Sequence, residues 1–300
     1  MVTNPEAGPA LQLPEAVLQV VERTCGSLLT IEPLGGLSGS EVVRVRAESD
    51  SVVVKGGGRA AEAEFYRSVA PGLGARAVSV PALHWAGRVG GRWWLVLEDV
   101  PHPLPRERWG ADDELLTMLA RLHVGEPLPR LRARDAYRPA WPVRATTRVL
   151  ATFPAHEAAH LSPILDAMRL AANHLFVPEH PLSGDANPCN WGVRADGTAV
   201  LFDWERFCRG SPAIDLATML PGLGTPDEYT GLARRYLVAV TSPMSRGETE
   251  RLARDIGLAK AWTVVEFLAG AAERGLEDEP TTIWLHSVFP GWVRSMHWLL

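Results

Sequence analysis

The chain has 300 residues, 46% hydrophobic and 22% charged, which supplies a sizeable core and excludes a disordered or fibrous chain. Thirty basic against 35 acidic residues leave a net charge of −5, which argues against a nucleic-acid partner bound by broad phosphate neutralisation. Cys25, Cys189 and Cys208 show no CxxC spacing, the N-terminus lacks a signal-peptide pattern, and no apolar run reaches the ~18 residues of a membrane span. A protein of the cytoplasm with no membrane partner is therefore expected.

In chain order, a helix is predicted from Pro14 to Arg23, with Val17, Val20 and Val21 on one side. Short β-rich runs follow at Leu28 to Leu34, Glu41 to Ala47, Ser51 to Lys55, Ala82 to Ala86 and Arg92 to Leu97, separated by turn residues. They read as one antiparallel sheet. The first two are joined by Gly35-Gly36-Leu37-Ser38-Gly39-Ser40, where Gly36 and Gly39 would let the backbone approach phosphates and Ser38 would add a hydroxyl donor. Among thirty basic residues only Lys55 and Lys260 are lysine, so a compact point charge is informative where arginine is the default. Lys55 closes the run Val52-Val53-Val54, within reach of phosphate oxygens; Lys260, in a polar helical stretch, is expected at the surface.

One amphipathic helix, about Arg59 to Ala70, interrupts the strands. On it Glu62 shares the core-facing stripe with Phe65 and Val69, whereas Glu64 lies opposite, so Glu62 is the better partner for Lys55. Beyond residue 100 the apolar spacing turns helical over Asp112 to His123, Glu157 to Phe176, Glu228 to Val240, Arg246 to Ala272 and Thr281 to Leu300. The Pro/Arg-rich stretch Glu126 to Pro142 reads as a loop, and no internal repeat is present. The expected fold is α+β and bilobal. Residues 1–100 would form a small sheet lobe with one main helix, and residues 101–300 a larger helical lobe.

The most specific segment is Ser183-Gly184-Asp185-Ala186-Asn187-Pro188-Cys189-Asn190, followed by Leu201-Phe202-Asp203-Trp204-Glu205. Phosphoryl transfer needs one carboxylate to orient a hydroxyl, and an amide plus a carboxylate to hold magnesium; Asp185, Asn190 and Asp203 are that set. Between them, Asp196-Gly197 is a turn dipeptide flanked by two apolar runs, so a hairpin would bring Asn190 and Asp203 together.

These residues resemble the aminoglycoside phosphotransferase and choline kinase-like family, which has the protein kinase-like fold. The resemblance spans about Leu34 to Leu220 and is most specific from Asp185 to Asp203 and at Ile214-Asp215-Leu216-Ala217. It implies Asp185 as catalytic base, Asn190 and Asp203 as magnesium ligands, and Lys55 with Glu62 as the pair anchoring the phosphates of ATP. It also implies a hinge whose backbone meets adenine around Glu98 and Val100, Asp215 as a brace of the catalytic loop, and His123 as a packed structural residue. Ser183 departs from the pattern, since family members usually carry histidine before Gly-Asp. That departure motivates an alternative reading, a nucleotide-binding pseudokinase with a regulatory or scaffold role.

The expected reaction moves the γ-phosphoryl group of ATP, with Mg2+, to a hydroxyl of a small molecule. An aminoglycoside-like antibiotic, an amino alcohol and a sugar all remain open as acceptors. Glu266, Glu273, Glu277, Asp278 and Glu279 form an acidic concentration suited to a cationic acceptor, and Trp262, Trp284, Trp292 and Trp298 are candidates to stack on it.

Overall fold

The computed structural model describes residues 13–34, 41–110, 112–240 and 245–300. Helix α1 (Glu15–Cys25) precedes strands β1 (Leu28–Pro33), β2 (Glu41–Ala47) and β3 (Ser51–Gly58). Next come α2 (Ala60–Glu64), a π turn (Phe65–Val69) and α3 (Ala70–Leu73), then β4 (Leu83–Val89) and β5 (Arg92–Glu98). The five strands form one antiparallel sheet in the order β1-β2-β3-β5-β4. The predicted sheet is therefore present, and β3 runs on through the glycines that follow Lys55.

Strand alternation decides which side chains meet the cleft. Val43, Val45, Val52, Val54, Trp94 and Val96 pack with Val17, Val20, Val21 and Cys25 of α1 in a separate small core. Each such apolar side chain contributes about 1.5–3 kcal/mol. Lys55, out of phase with Val52 and Val54, projects from the opposite face, toward α2. Leu95 and Leu97 of β5, and Ala63, Phe65, Tyr66 and Val69 of the α2 segment, belong instead to the large core shared with the helices that follow.

After β6 (His102–Pro103) the chain is mostly helical: α4 (Asp113–Val124), α5 (Val143–Leu150) and α6 (Ala155–Ala171). Strands β7 (His180–Leu182), β8 (Trp191–Val193), β9 (Ala199–Leu201) and β10 (Cys208–Gly210) are followed by α7 (Ala213–Met219), α8 (Pro226–Ala239), α9 (Arg246–Arg274) and α10 (Pro280–Ser295). The predicted hairpin is β8–β9, with Trp191 opposite Leu201 and Gly197 at φ 89° in the turn. β7 pairs with β10, which fixes the loop after β7 against the segment after Asp203. Helix α5 was not expected as a separate element; at 8 residues it gives too few turns for a periodic signal. No helix among the described residues is long and apolar enough to cross a membrane.

The Pro/Arg-rich loop ties the helical part to α2. Asp135 accepts hydrogen bonds from the first α2 amides, Ala60 N at 2.7 Å and Ala61 N at 3.1 Å, while Glu64 accepts from Arg132 N and Ala133 N. These bonds satisfy donors that a helix N-terminus leaves open and set the orientation of α2.

Lys260 corrects the sequence reading. It lies inside α9 and is 5% exposed, with Nζ donating to Leu220 O at 2.8 Å just past the end of α7. Its neighbours Leu258, Ala259 and Ala261 are buried as well, so α9 presents no outward stripe there. Burial pushes its ammonium down to about 8, against a weaker opposing effect of Glu228. A lysine with a lowered folded-state pKa penalises the native state while both states are charged, and the penalty lifts as pH rises from about 8 toward 10.5. Relative to Lys260→Met, the wild type should therefore gain about 3 kcal/mol over that window, read as a wild-type melting temperature that rises relative to the variant's.

Candidate active site

Lys55 is the centre of the site. Its Nζ lies 3.0 Å from both carboxylate oxygens of Glu62, 2.7 Å from Asp203 Oδ1 and 3.5 Å from Glu205 Oε2. Lys55 and Glu62 are buried, at 6% and 0% exposure. Burial alone would lower the Lys55 ammonium; the charges of Glu62, Asp203 and Glu205 outweigh it and hold the group above its ordinary value. For Glu62 burial wins, and its carboxyl is pushed up to about 7 although Lys55 opposes this. Oxygens of Glu62, Asp203 and Glu205 lie within 4.8 Å of one another, and Glu62 Oε2 is buried without a hydrogen bond. One ammonium faces three carboxylates.

Two backbone devices deliver these groups. Asp203 sits at φ 60°, the left-handed region, which turns its carboxylate away from β9 and starts the 3-10 turn Trp204–Arg206. Trp204 then stacks on Phe65, with centroids 4.5 Å apart and planes at 11°, so the segment bearing Asp203 is packed onto the one bearing Glu62.

The loop after β7 is held from within. Gly184 adopts φ 79°, and a Cβ there would stand 2.2 Å from Arg206 O, so only glycine fits. Buried Asp215, on α7, accepts Ser183 N and Gly184 N, each at 2.8 Å, and Ser183 Oγ and His123 Nε2, each at 3.1 Å. His123 Nδ1 bonds Tyr236 Oη at 2.9 Å. Ser183 thus supplies a side-chain hydrogen bond to Asp215, and a histidine from α4 meets the same carboxylate.

Asp185 follows with its carboxyl pushed up to about 6 by burial, with Asp203 and Asp215 adding to the shift and the Arg206 charge opposing it. Asn190 donates its amide to Asp185 O at 3.0 Å, which leaves its side-chain oxygen for a cation, and Phe202 N bonds Asn190 O at 2.9 Å. The hairpin does bring the Asn190 and Asp203 segments together.

Gly36, Ser38 and Gly39 lie outside the described residues. Glu98 ends β5 with its carboxylate on Arg194, at 2.6 and 2.9 Å, and on Ala82 N at 2.9 Å, so its side chain is committed and only main chain remains for a ligand. Val100 packs over Gly192 of β8. Sequence reasoning gave no role to Glu205, although it stands two residues after Asp203 in the same quoted segment. It also passed over Arg206, whose guanidinium bonds Glu266 and Tyr137 and lies 4.2 Å over the Tyr137 ring, with Tyr137 Oη 2.6 Å from Glu266. Only the fold joins those three.

The acidic concentration is partly neutralised, since Glu266 pairs with Arg206 and Glu273 with Arg148. Trp262 and Trp292 are buried with their indole N–H groups on Ala140 O and Gly224 O, which removes them as stacking surfaces; Trp284 is exposed.

A five-stranded antiparallel sheet whose lysine meets a helix glutamate, over a helical part with a loop-and-hairpin Asp/Asn/Asp set, is the protein kinase-like fold. A choline/ethanolamine kinase family protein from Mesorhizobium loti shares it at 16% identity and TM-score 0.63, over 94% of this chain and 92% of that one. Choline kinase LicA from Streptococcus pneumoniae aligns at 13% identity and TM-score 0.59 over 94% and 98%. Spectinomycin phosphotransferase APH(9)-Ia, in complex with ADP and spectinomycin, aligns at 12% and 0.62 over 91% of each chain. At such identities the likeness is one of fold. A search of curated proteins gives no match. The chain belongs to the phosphotransferase enzyme family APH, whose model matches residues 30–254.

Asp215 supports a direct check of the loop architecture. Asp215→Asn, whose amide cannot accept from four donors, should cost about 3 kcal/mol, and Ser183→Ala about 1 kcal/mol. Denaturant unfolding followed by tryptophan fluorescence measures both.

Proposed function

We propose that the chain is an ATP- and Mg2+-dependent phosphotransferase that moves the γ-phosphoryl group to a hydroxyl of a small molecule. Residues 1–100 would hold the nucleotide, and residues 101–300 the catalytic loop and the acceptor. The observation that carries this reading is the convergence of Lys55, Glu62, Asp203 and Glu205 beside the braced loop of Asp185.

Lys55, fixed by Glu62, presents a point charge to phosphate oxygens; a pre-oriented cation needs no reorganisation as charge shifts in the reaction. Asp203 and Asn190, with Glu205 adjacent, would hold magnesium. The donor set fits a hard cation: all are oxygens, and three carboxylates face one ammonium. Bound there, magnesium would neutralise phosphate oxygens. Asp185 orients the acceptor hydroxyl and takes its proton, and Arg206 sets the charge beside it. Glu98 and Val100 would contact adenine through main chain, with Gly36, Ser38 and Gly39 near the phosphates.

Ser183 supports an active enzyme over a pseudokinase, because its hydroxyl bonds Asp215 and keeps the loop braced. The structural neighbours include choline and choline/ethanolamine kinases and a spectinomycin phosphotransferase, which supports screening amino alcohols and aminoglycoside-like compounds first and sugars after them. Glu277, Asp278 and Glu279 remain as a cation-attracting patch. Three unpaired cysteines fit a reducing cytoplasm.

The test is Asp185→Asn in a screen of hydroxylated acceptors for ADP release. Turnover should fall by about 10²–10⁴, while calorimetric ATP affinity stays within about twofold of wild type, since Asp185 touches the acceptor. Near-wild-type turnover by the variant would remove Asp185 from the reaction.

A further inference from the structure

Tyr137 also borders a second cavity, of about 360 Å³, which none of Asp185, Asn190 and Asp203 lines. Its lining residues include Leu131, Phe176 and Phe207 together with three arginines, of which Arg209 is partly buried and Arg130 and Arg138 are exposed. No carboxylate lines it. Arg130 and Arg138 form no hydrogen bond or ion pair with another described residue, and Arg209 donates only to the main-chain oxygens of Pro178, at 3.3 Å, and Glu179. Burial and the positive charge of Arg130 together hold the Arg209 guanidinium below its ordinary value.

Three arginines and no carboxylate therefore line one hollow, in a chain whose net charge is −5. Arg209 is partly desolvated and lies beside the like charge of Arg130, so negative charge is favoured there. A carboxylate or phosphate relieves both effects and matches the guanidinium fork, while the aromatic and aliphatic walls accept an uncharged body of modest size. We propose that this cavity is a second ligand site, for a small organic anion that carries one carboxylate or phosphate group on an apolar or aromatic body. The loop that contributes residues 129–131 and 136–139 to the hollow is the same loop that holds α2 through Asp135 and Glu64.

Naphthoate, naphthyl phosphate and neutral naphthamide, titrated calorimetrically into the full chain with and without saturating ADP, test this. At least one of the two anions should bind, the tighter of them identifying the head group, with the amide weaker by about tenfold or more. ADP should not displace the anion. Arg130→Gln combined with Arg138→Gln, both at exposed positions, should weaken the anion about tenfold or more without lowering the melting temperature or changing ADP affinity. The proposal is overturned by equal binding of anions and amide, by equal binding to wild type and the double variant, by displacement with ADP, or by no binding at millimolar probe. None of these readouts involves phosphoryl transfer, so the outcome is independent of the reaction assigned above.

Discussion

The arrangement depends on one buried ammonium. Lys55 sits where three carboxylates from two distant parts of the chain meet, and Glu62, the one of them fully buried, could not be charged there without it. Removing one partner of a buried, hydrogen-bonded charge pair typically costs about 3–5 kcal/mol, because the remaining charge stays behind uncompensated. The cluster is thus a latch between β3, α2 and the turn after Asp203. Its excess of negative charge is also what suits it to a cation-bearing anionic ligand.

Much of that latch was legible in the sequence, for identifiable reasons. Lys55 stood out because lysine is rare in this chain, and the preference for Glu62 over Glu64 followed from helical phase. Strand existence and the Asp196-Gly197 turn rest on local chemistry, so the sheet and the β8–β9 hairpin were readable. Glu64 shows the limit: its exposed face was correctly inferred, but its partners, the Arg132 and Ala133 amides, lie in a loop with no periodicity. The Tyr137–Arg206–Glu266 group unites three segments that share no local pattern, and Lys260 was misplaced because a helix buried on all sides has no polar stripe to read.

Ser183 illustrates how a departure at one position is absorbed by its surroundings. The constraint in this loop belongs to Asp215, which needs donors for both carboxylate oxygens at full burial. Two main-chain amides, a hydroxyl and the His123 imidazole meet it. A backbone-dominated set tolerates change in any one side chain better than a purely side-chain network would.

Asp135 and Glu64 bind α2 to the helical part, and Phe65 stacks on Trp204, so mechanically the helix of Glu62 travels with the residues that follow it. The strand of Lys55 continues through Gly56-Gly57-Gly58, with Gly56 and Gly58 paired to Trp94 and Trp93 of β5 and Gly57 at φ 76°, and the chain enters that helix after Arg59. Lysine and glutamate therefore stand on either side of this glycine run. Any tilt of the sheet away from that helix must stretch the Lys55–Glu62 ion pair itself, so relative motion of the two elements is coupled to breaking and remaking it.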